Sequence, residues 1–301
     1  RDSSTSRGLG DVYKRQEGYV LVRSPYNPSI VTRYEINKEV VDLMVFCTKN
    51  PAPMFPYMEM ISQYNQYWFV TITPYGKEIE PGIKDKTQIL NAFRHLSSIV
   101  GSNNICWRYD PIFIDNTYTI PYHTHAFEKM CRLLSGYTKT CVISFLDIYQ
   151  KVKRNFPEAN EVSIQDKLLL GKALIDIGKS YNIKIKTCAE GTLLADFGAD
   201  CSGCMTQEVF EEAIGSKLIL PKGYKSSRKE CSCILSSDIG AYDTCAHLCR
   251  YCYANNNAKA VMRNIKLHDP TSPLLVGKLM PEDKVTQANQ ESWIDMQIGF
   301  L

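Results

Sequence analysis

The chain reads as an α/β protein: a parallel sheet wrapped by helices and closed into a partial (β/α) barrel of TIM type, followed by a Cys-rich C-terminal segment. Three observations predict this. Short β-branched or aromatic runs alternate with stretches of helical period. Each such run feeds a polar or Pro-ended loop, which is where active residues gather in barrels of this kind. The cysteines crowd toward the C-terminus, which marks that segment as a candidate metal binder.

In chain order, residues 1–16 (RDSSTSRGLGDVYKRQ) show no apolar periodicity and resemble a translated sequencing adaptor. They are set aside as a non-native or disordered tail. VDLMVF at 41–46 is the first predicted strand, ending in Cys47-Thr48-Lys49-Asn50-Pro51. A helix is expected over 54–64. YWFVTIT at 67–73 is the next strand and ends in Pro74-Tyr75-Gly76. Ile89, Phe93, Leu96 and Val100 recur at three- and four-residue spacing and predict a helix over 86–100. NICWRY at 104–109 then runs into Asp110-Pro111. A helix over 123–135, a strand at 140–147 (TCVISFLD), a helix over 164–181 and a strand at 183–190 (IKIKTCAE) complete a barrel body spanning 17–195. The remainder, 196–301, holds a short helix at 208–214, the basic loop KGYKSSRKE, the cysteine stretch, and a tail helix around SWIDMQ packing on the body.

With 301 residues, 44% of them hydrophobic, the chain can bury one large core. A formal charge of +3, from 35 basic and 32 acidic residues, gives no argument for nucleic acid or a membrane surface. No apolar run approaches the roughly 18–20 residues of a membrane span, and no secretory signal is visible. Twelve cysteines are too sparse for a small disulfide scaffold and point to metal ligation in a reducing cytoplasm.

The run CAHLCRYCY places Cys245, Cys249 and Cys252 in a Cys-x3-Cys-x2-Cys spacing, with Tyr251 before the last. Three thiolates on a short loop can hold three irons of a [4Fe–4S] cluster and leave the fourth without a protein ligand. Zinc is the competing reading, although zinc thiolates usually come as two Cys pairs. The spacing and the aromatic resemble the cluster loop of the radical S-adenosylmethionine (SAM) enzymes. That resemblance implies SAM on the open iron, one-electron cleavage to a 5′-deoxyadenosyl radical, and a donor such as flavodoxin or ferredoxin. The CRYCY string is also similar to spore photoproduct lyase, which leaves nucleic acid as a minor partner option.

The strings EGYVLVRSPYNP, FCTKNP, WRYDPI, LSGYTKTCVISFLD, TCAEG and ECSCILSSDIGAYDTCAHLCRYCYANN together resemble the family known as domain of unknown function 1848. The resemblance runs from about residue 17 onward and implies a radical-SAM-like fold with its cluster loop at the C-terminus. Members normally open with a strand reading roughly Ser-Arg-Arg-Thr-Asp-Ile-Pro, which this sequence lacks. A truncated gene model is the expectation. Trp is usual where this chain has Cys47, so Cys47 is expected as a buried thiol.

Further roles follow for Tyr251 and Glu190 from the resemblance, and for Thr48, Lys49, Asn50, Arg108 and Asp110 from their place at strand ends. Tyr251 lies over the SAM adenine. Thr48, Lys49 and Asn50 hold a methionine or substrate carboxylate, Lys by charge and Asn by donation. Arg108 and Asp110 either pair structurally or leave Arg108 to grip an anion. Glu190 takes the SAM amino group. Cys188, Cys204, Cys231 and Cys233 are candidates for a second site, holding zinc or another cluster, with buried thiols as the alternative. Cys201 looks incidental, and Cys106, Cys131 and Cys141 read as core. His247 is expected at solvent or behind the ligands, and His123 and His125 in capping or surface positions. The substrate is not legible. A non-catalytic protein stapled by zinc or a cluster, acting structurally or in an interaction, is the alternative to an enzyme.

Overall fold

The computed structural model describes residues 18–226, 232–235 and 237–295. The assigned tail at 1–16, Cys231 and the end of the SWIDMQ string fall outside them.

A five-stranded parallel sheet organises the molecule. Its strands are β3 (Met44–Thr48), β4 (Gln66–Thr71), β5 (Ile105–Ile112), β6 (Thr140–Phe145) and β7 (Lys184–Thr187), hydrogen-bonded in sequence order. A second sheet comprises β1 (Tyr19–Arg23), antiparallel to β2 (Ile30–Glu35), which pairs in parallel with β8 (Lys284–Gln287). Sequence patterning missed all three of its strands. The main sheet's five were all expected, within a few residues at each end.

Parallel strands need crossovers, and helices supply them. They are α1 (Met58–Ile61), α2 (Lys86–Val100), α3 (Ile120–Leu134), α4 (Gln150–Asn155) and α5 (Ile164–Ser180). The starts of α2, α3 and α5 are set by side-chain caps from Asp85, Thr119 and Ser163. The expected helix at 54–64 is shorter and partly 3-10. Pro56 removes an amide inside it, and Ala52–Tyr57 winds as a 3-10 turn before α1. Later come α6 (Gln207–Ile214) and α7 (Ala258–Lys266). The tail around Trp293 is not helical. Ile294 bridges antiparallel to Leu218, and Trp293 packs beside Tyr224.

Alternation along the strands sends side chains to two faces. Trp68, Val70, Trp107, Tyr109, Cys141 and Ile143 join Phe93, Leu96, Phe127, Leu134, Leu170 and Leu174 of the helices in the main core. Tyr67, Phe69, Cys106 and Val142 face the other way, toward Val209 and Ala213 of α6 and toward Cys204. A sheet covered on both sides explains why β4 reads QYWFVT with no polar alternation. Cys106, Cys131 and Cys141 are core residues, as expected. No helix among the described residues is long and apolar enough to cross a membrane.

Candidate functional site

The loops that leave the carboxyl ends of β3 and β4 meet the Cys245–Cys252 segment. After β4 the chain runs through Thr73 and forms a platform from Gly76 to Ile83. The cysteine loop sits on it through two backbone pairs. Gly82 N donates to His247 O at 2.9 Å, and Arg250 N donates to Ile79 O at 3.0 Å. Gly82 is required by close approach: a Cβ there would lie 2.3 Å from Ala246 O and 2.7 Å from His247 Cα. Asn255 Nδ2 donates to Cys245 O at 2.9 Å from within the protein. Cys245 and Cys249 are buried and Cys252 is half-buried. Among the described residues every cysteine is free of a disulfide.

Glu80 lies at the centre of the junction, 1% exposed. Its Oε1 accepts from Lys49 Nζ at 2.9 Å, from Thr73 Oγ1 at 2.6 Å and from the Tyr251 hydroxyl. Its Oε2 accepts from Lys86 Nζ. Burial alone raises a carboxyl's pKa, but the Lys49 and Lys86 charges and the hydrogen bonds outweigh it, and Glu80 falls to about 2. Lys49 stays charged: burial opposes the ammonium, and Glu80 and the neighbouring Cys249 favour it more. Lys86 moves the other way, pulled down by burial and by the Lys49 charge. Burial pushes Cys249 up to about 12, against the pull of Lys49.

The predicted site residues divide into those this junction gathers and those it does not. Lys49 is at its heart. Tyr251 is buried beneath the loop, with its ring edge on Tyr75 and Lys49 Nζ 5.5 Å from its centroid. Burial holds its hydroxyl protonated. Thr48 and Asn50 shape the turn: Thr48 Oγ1 accepts from Asn50 N at 2.9 Å, and Asn50 Oδ1 from Ala52 N at 3.2 Å. His247 is buried rather than at solvent, because its Nδ1 faces Gly82 O at 3.4 Å under the docked loop. His123 is likewise no surface residue. It lies inside α3, fully buried, between the Tyr109 hydroxyl and Phe113 O, each at 2.8 Å. His125 is exposed.

Arg108 and Asp110, on the second face of β5, form a two-pronged pair with contacts at 3.0 and 2.5 Å. The remaining Arg108 nitrogen points at Cys204 Sγ, 3.7 Å away. Glu190 stands apart from the loop junction: its carboxylate accepts from Phe145 N at 2.7 Å and Lys167 Nζ at 2.9 Å.

Cys188, Cys204 and Cys233 come together beside Arg108. Cys204 Sγ lies 3.8 Å from Cys188 Sγ and 3.9 Å from Cys233 Sγ. Cys201 turns away toward Ala199 O, and Cys47 packs at the edge of the same cluster. Among the described residues no group of three or more His, Cys, Asp or Glu side chains is placed, as it stands, to hold a metal ion.

Sequence reasoning missed Glu80, Thr73, Lys86 and Gly82. The signal was the string GKEIEPGIK just after a strand end, where a carboxylate stands between an isoleucine and Pro-Gly. An open groove lined by Arg23, Lys266, His268 and Asp283 contains none of the candidate residues.

No curated protein matches the chain. The sequence profile of a family described as a domain of unknown function, DUF1848, matches residues 12–254. That span holds the five-stranded sheet, the Glu80 platform and all three cysteines of the loop, and it begins within the stretch set aside as a tail. The chain therefore belongs to the DUF1848 family.

Proposed function

We propose that the chain is an iron–sulfur enzyme of the radical SAM class, built on a partial (β/α) barrel and acting on a substrate yet to be identified. One observation carries this reading: the Cys-x3-Cys-x2-Cys loop is seated on the loops after β3 and β4, at the carboxyl edge of a parallel sheet. That edge is where barrel folds keep their chemistry. The donor set suits the group. Cys245, Cys249 and Cys252 offer three thiols from eight residues of chain, enough for three irons of a [4Fe–4S] cluster. When bound, the cluster would supply the electron that cleaves SAM.

The chain's own residues then have distinct tasks. Lys49 sets a positive charge beside Cys249, which favours a thiolate. Tyr251 ties the loop to Glu80 and so fixes where the thiolates stand. The apolar enclosure by Tyr75, Tyr251 and Ile79 keeps water from the buried side of the loop. Thr48 and Asn50 present the turn that carries Lys49. Lys49 and Asn50 remain the candidates for a carboxylate, whereas Arg108 is engaged by Asp110 as a structural pair. An external one-electron donor is required.

The test is anaerobic reconstitution of the chain with iron and sulfide, reduction with dithionite, and chromatography for 5′-deoxyadenosine after adding SAM. The wild type is expected to form it and Cys249→Ala to lose it. A wild type with a full iron and sulfide load that forms none would sink the reading. Zinc retained in place of iron would leave a stapled structural protein.

A further inference from the structure

Two stretches of the chain, 149–157 and 241–267, meet at the Cys245–Cys252 loop. Asn155 O accepts from Arg250 Nε at 3.2 Å, and Asn155 Nδ2 donates to Asn255 O at 3.4 Å. The whole chain is close to charge balance, with 35 basic and 32 acidic residues, but these stretches are not. They carry Lys151, Lys153, Arg154, Lys259, Arg263 and Lys266, besides Arg250, which Glu158 matches at 2.5 and 2.8 Å. Asp243 is their single acid, and Asn256 occupies both of its oxygens. Asp147, just before α4, is engaged by the Tyr149 hydroxyl at 2.9 Å. An excess of one sign beside one loop draws in a partner of the other sign.

These charges border exposed rings. Lys151 Nζ stands 4.6 Å over the Tyr242 ring. Asn264 of α7 donates to Asp243 O at 3.1 Å, which ties α7 to the same turn. Tyr149, at the start of α4, lies 6.3 Å from Tyr253, the residue after Cys252. Tyr149, Tyr242 and Tyr253 are all exposed, as is Met262. Along α7, Lys259, Met262, Arg263 and Lys266 share one helical face, opposite the buried Val261. Tyr, Met and Arg are the side chains enriched where proteins meet.

We propose that this basic, tyrosine-bearing surface docks a small one-electron carrier protein with an acidic face. The inference rests on the radical reading of the loop, which requires reduction from outside. A nucleic acid would also meet the charges and the rings, but it brings no electron. One electron leaves the reduced carrier, which is oxidised by one, and enters the cluster, which is reduced by one; no covalent bond forms or breaks. Because Tyr253 follows Cys252 directly, a carrier seated on the rings stands beside a cluster ligand. Electron-transfer encounters use interfaces below about 1,200 Å² and rely on charge for their on-rate, and a compact basic surface suits them.

The probe is an acidic flavodoxin. Its affinity for the full-length wild-type chain, read by fluorescence anisotropy, should fall steeply as salt is raised. Joint Lys151→Glu, Lys259→Glu and Arg263→Glu substitution should raise Kd about 10-fold or more. In the reconstituted protein the same variant should form 5′-deoxyadenosine at the wild-type rate with dithionite. With subsaturating reduced flavodoxin it should be slower by about 10-fold or more. The two readings fail differently. A wild type inactive with dithionite sinks the radical reading and the docking claim with it. Turnover with dithionite, together with a flavodoxin-driven rate indifferent to the three reversals, overturns the docking surface alone. So does flavodoxin that fails to bind the wild type or binds it independently of salt, a readout that stands however the variant folds. An oligonucleotide that binds the wild type and not the variant, where flavodoxin binds neither, would assign the surface to nucleic acid instead.

Discussion

Glu80 accepts four hydrogen bonds in an interior site, two of them from ammonium groups. Removing one partner of a buried ionic group leaves the others without compensation, at a cost of about 3–5 kcal/mol. Glu80→Ala is expected to destabilise the protein by that order, read by chemical denaturation. The carboxyl's folded pKa, about 2, lies below its ordinary 4.5. Its ionised form therefore stabilises the fold fully above about pH 4.5, and that contribution is lost as pH falls toward 2. Glu80→Gln should flatten stability across that window, and an unchanged acid limb would count against the ionic junction. Gly82 acts by size alone. Gly82→Ala should displace the cysteine loop and lower its iron content, with far-UV circular dichroism close to wild type. Full iron loading in Gly82→Ala would refute the docking geometry. At this scale the sequence was partly legible. Lys49 could be singled out because it follows a strand directly, whereas Glu80 lies nine residues beyond β4 and only the folded loop reveals its partners. His123 looked like a helix-start residue, because nothing local signals that Tyr109 and Phe113 enclose it.

Helices α2, α3 and α5 were legible because their starts and apolar stripes are local properties, whereas the short α4 was not expected. Asp85 caps α2 by accepting from Thr87 N at 2.8 Å and Gln88 N at 3.4 Å. Asp85→Ala is expected to cost about 0.5–2 kcal/mol, as a shifted denaturation midpoint with an unchanged slope. No shift would mean that the cap is replaced by water. The parallel strands were equally plain, as continuous apolar runs. The strands of the small sheet were not. YVLVR and IVTRYE alternate weakly, and KVTQ is exposed at every position, so pairing rather than patterning defines β8. The tail around Trp293 reads as a helix by composition, yet its contact with Leu218 draws it out straight.

Across the whole molecule, the two sheets differ in what holds them. The main sheet is covered by large apolar clusters on both faces, while the small sheet gathers Leu21, Val31 and Leu274 as its buried core. Native-state hydrogen exchange should protect β4, β5 and β6 amides longest and release β1, β2 and β8 earlier, through local opening. Equal protection in the two sheets would show one cooperative unit. The small sheet joins residues near both ends of the described chain, with Arg23 and Asp283 paired at 2.5 Å. Such long-range closure is what sequence reading handles least well, and it is also what brings the cysteine loop back onto β3 and β4. The three cysteines were legible as a motif. Their seat on Glu80, Lys49 and Gly82 was not, because those contacts join segments more than 160 residues apart.

The central claim is that the loop of Cys245, Cys249 and Cys252 holds a cluster with an iron open to SAM. Electron paramagnetic resonance of the anaerobically reconstituted, reduced protein tests it most directly, with and without SAM. The account expects a [4Fe–4S] signal that changes shape when SAM is added and disappears in Cys249→Ala. A protein that retains zinc and gives no cluster signal, or a cluster signal indifferent to SAM, would contradict it.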